Sequence, residues 1–247
     1  MDPTAIQTYA ALEETYWWFL GRREVIRRII NSRLSGPLRI LDWGCGPGGN
    51  YHMLSRFGRV ISVDASDSSL DLCRERGMPD VIKACTIQDF PLGALFDLVT
   101  NFDVLEHIED DGGFLRDLRT VLKDNGHVLV TVPAYQFLWS DLDRLLGHAR
   151  RYNKRDLVMS FEKAGYTVTI ASYFNSFLAA PFIAVRWMQI RNGRAATLEQ
   201  YVVKLPQWLN NLFLLLLKIE AWLVPHIQLP FGTSIILLAK KIGREQP

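Results

Sequence analysis

The sequence predicts an α/β fold built on a doubly wound, mostly parallel seven-stranded sheet, with a helical insertion before the last strand. Three observations predict it. An apolar run from Leu38 ends in Asp42, Gly44, Gly46 and Gly49 follow, and a helix-compatible segment starts behind them. That order reads as strand, tight turn and helix start, and glycine lets the backbone approach a ligand with no Cβ in the way. A second apolar run ends in Asp64, about 20 residues beyond the turn, where such folds set a carboxylate against ribose hydroxyls. Strand-like and helix-like stretches then alternate along the chain, as a parallel sheet with crossover helices requires.

Composition narrows the class. With 247 residues, half of them apolar, and a net charge of +2, the chain is long enough to bury a core and is neither disordered nor a dedicated polyanion binder. Cys45, Cys73 and Cys85 have no C-x-x-C spacing, and an odd number leaves one unpaired in any disulfide scheme, so a reducing, cytoplasmic setting is expected. Residues 1–4 lack a basic segment leading into an apolar one, so no signal peptide is expected. A membrane-spanning helix needs roughly 20 apolar residues in a row. The longest uncharged stretch, Ala221 to Ala239, is broken by Pro225, Pro230 and Gly232.

Residues 4–34 read as two helices separated near Gly21, the second with Val25, Ile26, Ile29 and Ile30 on one face. Around the junction, Tyr16, Trp17, Trp18 and Phe19 precede Arg22 and Arg23. This composition suits a flap over an apolar surface, or a simple pin between the helix and the sheet. Strand two is 59–64, Asp67 is the expected N-cap of a helix to Arg76, and strand three is 81–85. Strand four is 96–101. An amphipathic helix through Leu115, Leu118, Val121 and Leu122 leads to an Asn125–Gly126 turn and strand five, 127–132. A helix over 153–164 ends at Gly165, strand six is 166–170, and the last strand is 233–240. The chain thus divides into a helical flap (1–35), a ligand-binding core (36–175), an apolar helical insertion (176–228) and the final strand with its tail (229–247).

The insertion sets Arg186, Arg191, Arg194, Lys204 and Lys218 against only Glu199 and Glu220 in a very apolar segment. It suits a helix pair lying on an anionic membrane, a homodimer interface or a lid over an acceptor pocket.

Taken together, Leu41 to Gly49, Val63 with Asp64, Gln88 to Pro91 and Phe96 to Asn101 resemble, in order and spacing, the class I S-adenosylmethionine (SAM) dependent methyltransferases with their Rossmann-like sheet. Trp17 to Arg23 and Leu146 to Tyr152 further resemble a bacterial and archaeal subgroup associated with glycan and lipid-carrier pathways. The resemblance implies that Gly44, Cys45 and Gly46 pass under the methionine part of SAM and that Asp42 helps hold its ammonium. It implies that Asp64, with Ala65 beside it, takes the ribose hydroxyls. Asp89, with Phe90, would accept from the adenine amine, and Asn101 would make a backbone contact. Arg22 or Arg23 would meet the carboxylate, and Trp18 completes the cofactor set.

Methyl transfer to a hydroxyl also needs a base or a metal. Asp103, Glu106 and His107 stand at i, i+3 and i+4, which on a helical turn shares one face, and His148 would complete the set. Two carboxylates and imidazoles suit Mg or Mn. The set resembles the acid, acid and histidine motif of metal-dependent O-methyltransferases of ubiquinone biosynthesis and of small-RNA 3′ ends. His107, His148 and Glu106 are the candidate catalytic residues. As alternatives, Glu106 and His107 close a helix start and His148 packs. Beyond strand five, aromatics from Tyr135 to Trp139 beside Arg150, Arg151, Lys154 and Arg155 suit a ring carrying a phosphate, or are a solvated basic helix start.

The expected function is therefore O-methylation of a small-molecule, lipid-linked or glycan-pathway acceptor, without DNA as a partner. An RNA methyltransferase and a non-catalytic SAM-binding protein are the alternatives. The spacing of Gly44, Gly46 and Gly49 also fits a dinucleotide dehydrogenase, but the acid at Asp89 and the strand ending at Lys240 point away from it.

Overall fold

The computed structural model describes residues 3–91, 93–191 and 205–243. Helices α1 (Pro3–Glu13) and α2 (Trp17–Arg33) lead into strand β1 (Leu38–Trp43). There follow α3 (Tyr51–Leu54), β2 (Gly58–Asp64), α4 (Asp67–Glu75), β3 (Val81–Lys83), β4 (Phe96–Phe102), α5 (Asp111–Val121) and β5 (Leu122–Pro133). Then come α6 (Asp141–Leu146), α7 (Lys154–Lys163), β6 (Tyr166–Phe174), α8 (Ala179–Arg191), α9 (Gln207–Leu223) and β7 (Ser234–Lys241).

The seven strands form one sheet in the order β3-β2-β1-β4-β5-β7-β6. Strands β1 to β5 pair in parallel, whereas β7 runs antiparallel to both β5 and β6. The central strands read as unbroken apolar runs because both faces are covered: Ile235 to Ala239 of β7 are all fully buried. One face packs Leu115, Leu118 and Phe161 of α5 and α7, and the other packs Val25, Ile26, Ile29 and Ile30 of α2 and Leu217 of α9. The strand order reverses direction at β1, between its neighbours β2 and β4. The loops leaving β1 and β4 at their carboxyl ends diverge there, which opens a crevice for a ligand.

Six local expectations are corrected. The break in the N-terminal helices falls at Glu14–Tyr16, and Gly21 lies inside α2, where an added Cβ would come within 2.7 Å of Leu217 Cγ. That glycine serves close helix packing rather than a stop. The N-cap of α4 is Ser66, whose hydroxyl accepts from the Ser69 amide, and Asp67 is the first helical residue. Asn125 and Gly126 do not precede a strand but lie inside β5: pairing with β4 jumps from Phe96–Leu122 to Leu98–His127, so the intervening residues bulge and Asn125 takes φ +65°. Leu122 accordingly belongs to the strand and not to α5. Strand β3 ends at Lys83, short of Cys85, and β6 runs on to Phe174.

The segment between β6 and β7 holds α8 and α9. No described helix is long and apolar enough to cross a membrane. Arg194, Glu199 and Lys204 lie outside the described residues, as do the side chains of Arg186 and Arg191. Glu220 is not part of a charged surface, because it is buried and accepts from the Ser176 and Phe177 amides at 2.9 and 2.7 Å.

Candidate functional site

The crevice above β1 and β4 opens into a cavity of about 730 Å³, within the roughly 300–1,000 Å³ usual for small-molecule sites. Its polar floor is the loop after β1. The Gly44 and Cys45 amides both donate to the Val63 carbonyl, at 2.8 and 2.9 Å, which straps the loop to β2. Gly44 has φ +76°, and a Cβ there would overlap the Val104 side chain. Gly46 has φ +54° with nothing within 4 Å of where a Cβ would be, so its bare backbone faces the cavity. The Asp64 carboxylate accepts from the Gly46 amide at 2.9 Å and from the Ser66 amide at 2.8 Å. Each oxygen keeps a further lone pair for a ligand hydroxyl.

Gly44, Cys45, Gly46, Asp64, Ala65, Trp18 and Arg22 all line this cavity. Trp18 is fixed there by stacking on Phe174, centroids 5.5 Å apart. Asp42 lies one layer behind, almost fully buried: Thr100 Oγ1 donates to its Oδ1 at 2.7 Å, and Oδ2 has no hydrogen-bond partner. Burial pushes its pKa up to about 6, against the lowering effect of the Thr100 bond and Arg22. Asn101 and Phe90 also sit behind the wall. Asn101 Nδ2 donates to the Trp43 backbone carbonyl at 3.2 Å, and Phe90 packs edge-on to the Trp43 ring, so both shape the site through that residue. Asp89 is exposed and outside the cavity. It accepts from the amide and hydroxyl of Thr86, which hold its pKa below the usual carboxylate range. Arg23 turns away to the Gly49 and Glu13 carbonyls.

On the far side of the cavity the chain turns tightly at Leu105–His107, a 3₁₀ turn. Asp103 precedes it at φ +55°, off any helical face, and is held by Arg22 and by Thr131 Oγ1 at 3.0 Å. The expected i, i+3, i+4 face therefore does not form, and Asp103 stands apart from the cluster of donors. That cluster is Glu106, His107 and His148, with ligand atoms all within 4.8 Å of one another. Glu106 is fully buried, and neither carboxylate oxygen has a hydrogen-bond partner. Burial, reinforced by Asp103, raises its pKa well above the ordinary value.

Both imidazoles are oriented by the bond at Nδ1. His107 Nδ1 lies 3.1 Å from the Gly147 carbonyl, which can only accept, so the proton is on Nδ1 and the Nε2 lone pair is available. His148 Nδ1 lies 3.0 Å from Asp143 Oδ1, leaving Nε2 3.9 Å from Glu106 Oε1. The two rings meet edge to face, centroids 4.8 Å apart. Burial alone would push the Asp143 carboxyl up, but the His148 bond and Arg151 outweigh it and hold it well below the usual range. An imidazole backed by a carboxylate is the arrangement that orients metal-ligating and proton-accepting histidines.

Asp143 was missed by sequence reasoning. Its signal is the Ser140–Asp143 capping box that starts α6, five residues before His148. Glu13 of α1 was also missed. It is buried at the cavity wall and ion-pairs with Arg76 at 3.3 Å, with no pattern in the sequence to mark it. Arg151 is engaged by Asp143 and Arg150 by Asp111, while Lys154 meets Gln228, so these three cations of the basic run are tied into the fold and Arg155 is exposed. The remaining wall is apolar, with Leu138, Leu142 and Leu146 facing Phe182 and Ile183 of α8.

A family model described as a methyltransferase domain matches residues 19–170. A Mycolicibacterium smegmatis protein named a probable S-adenosylmethionine-dependent methyltransferase is 30% identical over 169 residues, covering 67% of this chain and 65% of that protein. A ubiquinone biosynthesis O-methyltransferase of Bradyrhizobium is 30% identical over 156 residues, 53% of this chain and 62% of that protein. The chain thus spans less than two thirds of the length of these relatives. A SAM-dependent methyltransferase structure from Archaeoglobus fulgidus superposes with TM-score 0.57 at 16% identity, covering 95% and 99% of the two chains, a likeness of fold.

Proposed function

Because this chain belongs to the methyltransferase-domain family and its core is a SAM-dependent methyltransferase domain, we propose that it methylates an oxygen atom of a small-molecule acceptor that is lipid-linked or belongs to a glycan pathway. One observation carries the choice of oxygen: a fully buried Glu106 with both carboxylate oxygens unpartnered, beside the Nε2 atoms of His107 and His148. Leaving a buried carboxyl without a partner is costly, and a site that keeps one has a use for it. The ubiquinone O-methyltransferase relatives support the same reading.

SAM supplies a methyl group on a sulfonium, ready for in-line displacement. The chain's own part is chiefly orientation, worth on the order of 7–11 kcal/mol in well-aligned systems. In this reading the bare backbone at Gly44 to Gly46 underlies the methionine part, with Asp42 supporting it from behind. Asp64, with Ala65, takes the ribose. Trp18 covers the ligand and Arg22 meets its carboxylate. Asp89 lies outside the cavity, so Ala84 and Cys85, which line it, are the nearer adenine contacts.

The acceptor hydroxyl must lose its proton. Glu106, His107 and His148 fit a divalent cation, Mn better than Mg because one oxygen donor and two imidazole nitrogens converge there, and such an ion would lower the pKa of a hydroxyl it binds. Without an ion, His148 backed by Asp143 serves as general base. The apolar wall opposite accommodates the hydrocarbon part of the acceptor. We infer a cytoplasmic setting beside a membrane, where lipid-linked acceptors reside.

Calorimetric titration with SAM, followed by mass spectrometry of phenol, alcohol and amine acceptors incubated with and without Mn, tests the reading. A methyl ether formed with Mn and suppressed by chelation is the expected product. Methylation at nitrogen alone overturns it.

A further inference from the structure

Helix α9 carries an apolar stripe that no described part of the chain covers. Trp208, Leu212, Leu215, Ile219 and Trp222 recur every three or four residues and so share one side of the helix. All five are exposed, Trp208 by 68% and Trp222 by 59%. The opposite side buries Asn210, Leu217 and Ala221. Asn210 locks that side to the N-terminal helices, accepting from the Trp17 amide at 2.9 Å and donating to the Thr15 carbonyl at 3.1 Å. The orientation of the stripe is therefore fixed by the core.

Charge selects the partner. The one acid of α9, Glu220, is turned inward to the Ser176 and Phe177 amides, so no carboxylate of this helix reaches the outer face. Lys218 is exposed on its flank. At the Trp222 end, Arg27, Arg28 and His226 line a shallow cleft with the indole, and the single Glu24 carboxylate serves both guanidinium groups, which leaves positive charge in excess. Fourteen residue steps give a stripe of about 21 Å. With an indole at each end and cations beside it, this is the pattern of a helix lying in a membrane interface. Self-pairing through the stripe would set Lys218 of each copy beside the seam with no α9 carboxylate to meet it.

We propose that this face of α9 docks on the surface of an anionic lipid bilayer. It reaches the cavity through a short aromatic ladder: Phe213 of α9 meets Trp17 at 5.4 Å, and Trp17 meets Phe182 of the cavity wall at 5.6 Å. Docking therefore sets the apolar wall of the site close to the lipid. The surface stands on its own geometry, and its purpose rests on the lipid-linked acceptor proposed above.

Flotation of the full chain with vesicles of phosphatidylcholine alone, or mixed with phosphatidylglycerol, tests this. Binding to the mixed vesicles is expected, weakened by salt, and lowered at least about tenfold in a Trp208→Ser/Trp222→Ser variant that still titrates with SAM. Loss of SAM binding in the unaltered chain would count against the proposed function and not against docking. No flotation on phosphatidylglycerol vesicles, equal flotation on both compositions, or an undiminished variant would overturn the docking proposal. So would a dimer that the double variant dissolves in sedimentation while neither form floats.

Discussion

His148 points Nδ1 at Asp143 Oδ1, 3.0 Å away, and by doing so turns Nε2 toward Glu106. Asp143 Oδ2 meanwhile accepts from the amide and hydroxyl of Ser140, so one carboxylate both starts α6 and sets the tautomer of the site histidine. Asp143→Asn keeps the shape but removes the charge that fixes the ring. Methyl transfer is expected to fall by about 10–100-fold, with SAM affinity in calorimetry unchanged, because Asp143 lies away from the glycine loop. Equal loss of SAM affinity would show that the residue supports the whole cavity instead.

Cation binding should register as stability. An ion that binds only the folded chain at about 100 times its dissociation constant adds about 2.7 kcal/mol, and for a chain of this size each kcal/mol raises Tm by about 2–4 °C. A rise of roughly 5–11 °C with saturating Mn is therefore expected for the unaltered protein. Glu106→Gln should abolish the shift, and His107→Ala should reduce it. An Asp103→Asn variant should retain it, since that carboxylate is committed to Arg22 and Thr131. A shift that survives Glu106→Gln would place the ion elsewhere.

Gly21→Ala tests the packing of α9 on α2. Alanine favours a helix by about 1 kcal/mol, yet its Cβ would press on Leu217 Cγ and also on Leu217 Cβ, 2.9 Å away, which no side-chain rotation moves. Overpacking of this kind costs about 1–3 kcal/mol, so a net loss in urea denaturation is expected. Combining it with Leu217→Ala should show strong non-additivity, because the second change removes most of the clash.

Much of this geometry was legible because it rests on short-range patterns. Glycines after an apolar strand, an acid at the end of the next strand and alternating elements point to the sheet and to the wall formed by Gly44, Gly46 and Asp64. What the sequence hid depends on contacts between distant residues. Gly21 reads as a stop until Leu217, nearly two hundred positions on, is packed against it. Asp103 looks like a partner of Glu106 by spacing alone, but a backbone at positive φ sends it to Arg22. Asp143 reads as a helix cap, and its bond to His148, though local, depends on the left-handed Gly147 that ends α6 and turns the chain back on it. The stripe on α9 is spelled out at helical spacing, but only the fold reveals which side of that very apolar helix faces outward.

Asp42 supplies a test in pH. Its pKa rises from the ordinary 3.8 to about 6 through burial, a difference corresponding to about 3 kcal/mol. A raised folded-state pKa means that the contribution is fully present below 3.8 and is lost as pH climbs through about 6. Glu13 and Glu220, raised by burial as well, act in the same direction. Asp143 has the opposite sign: its lowered pKa contributes stability above the ordinary 3.8 that disappears as pH falls. The urea midpoint of the ligand-free protein should therefore decline as pH rises from about 4 through about 6. Asp42→Asn keeps an acceptor for the Thr100 hydroxyl and removes the titration, so its curve should be flatter and should cross above that of the unaltered protein near neutrality. A parallel decline in both proteins would show that Asp42 is not the group responsible.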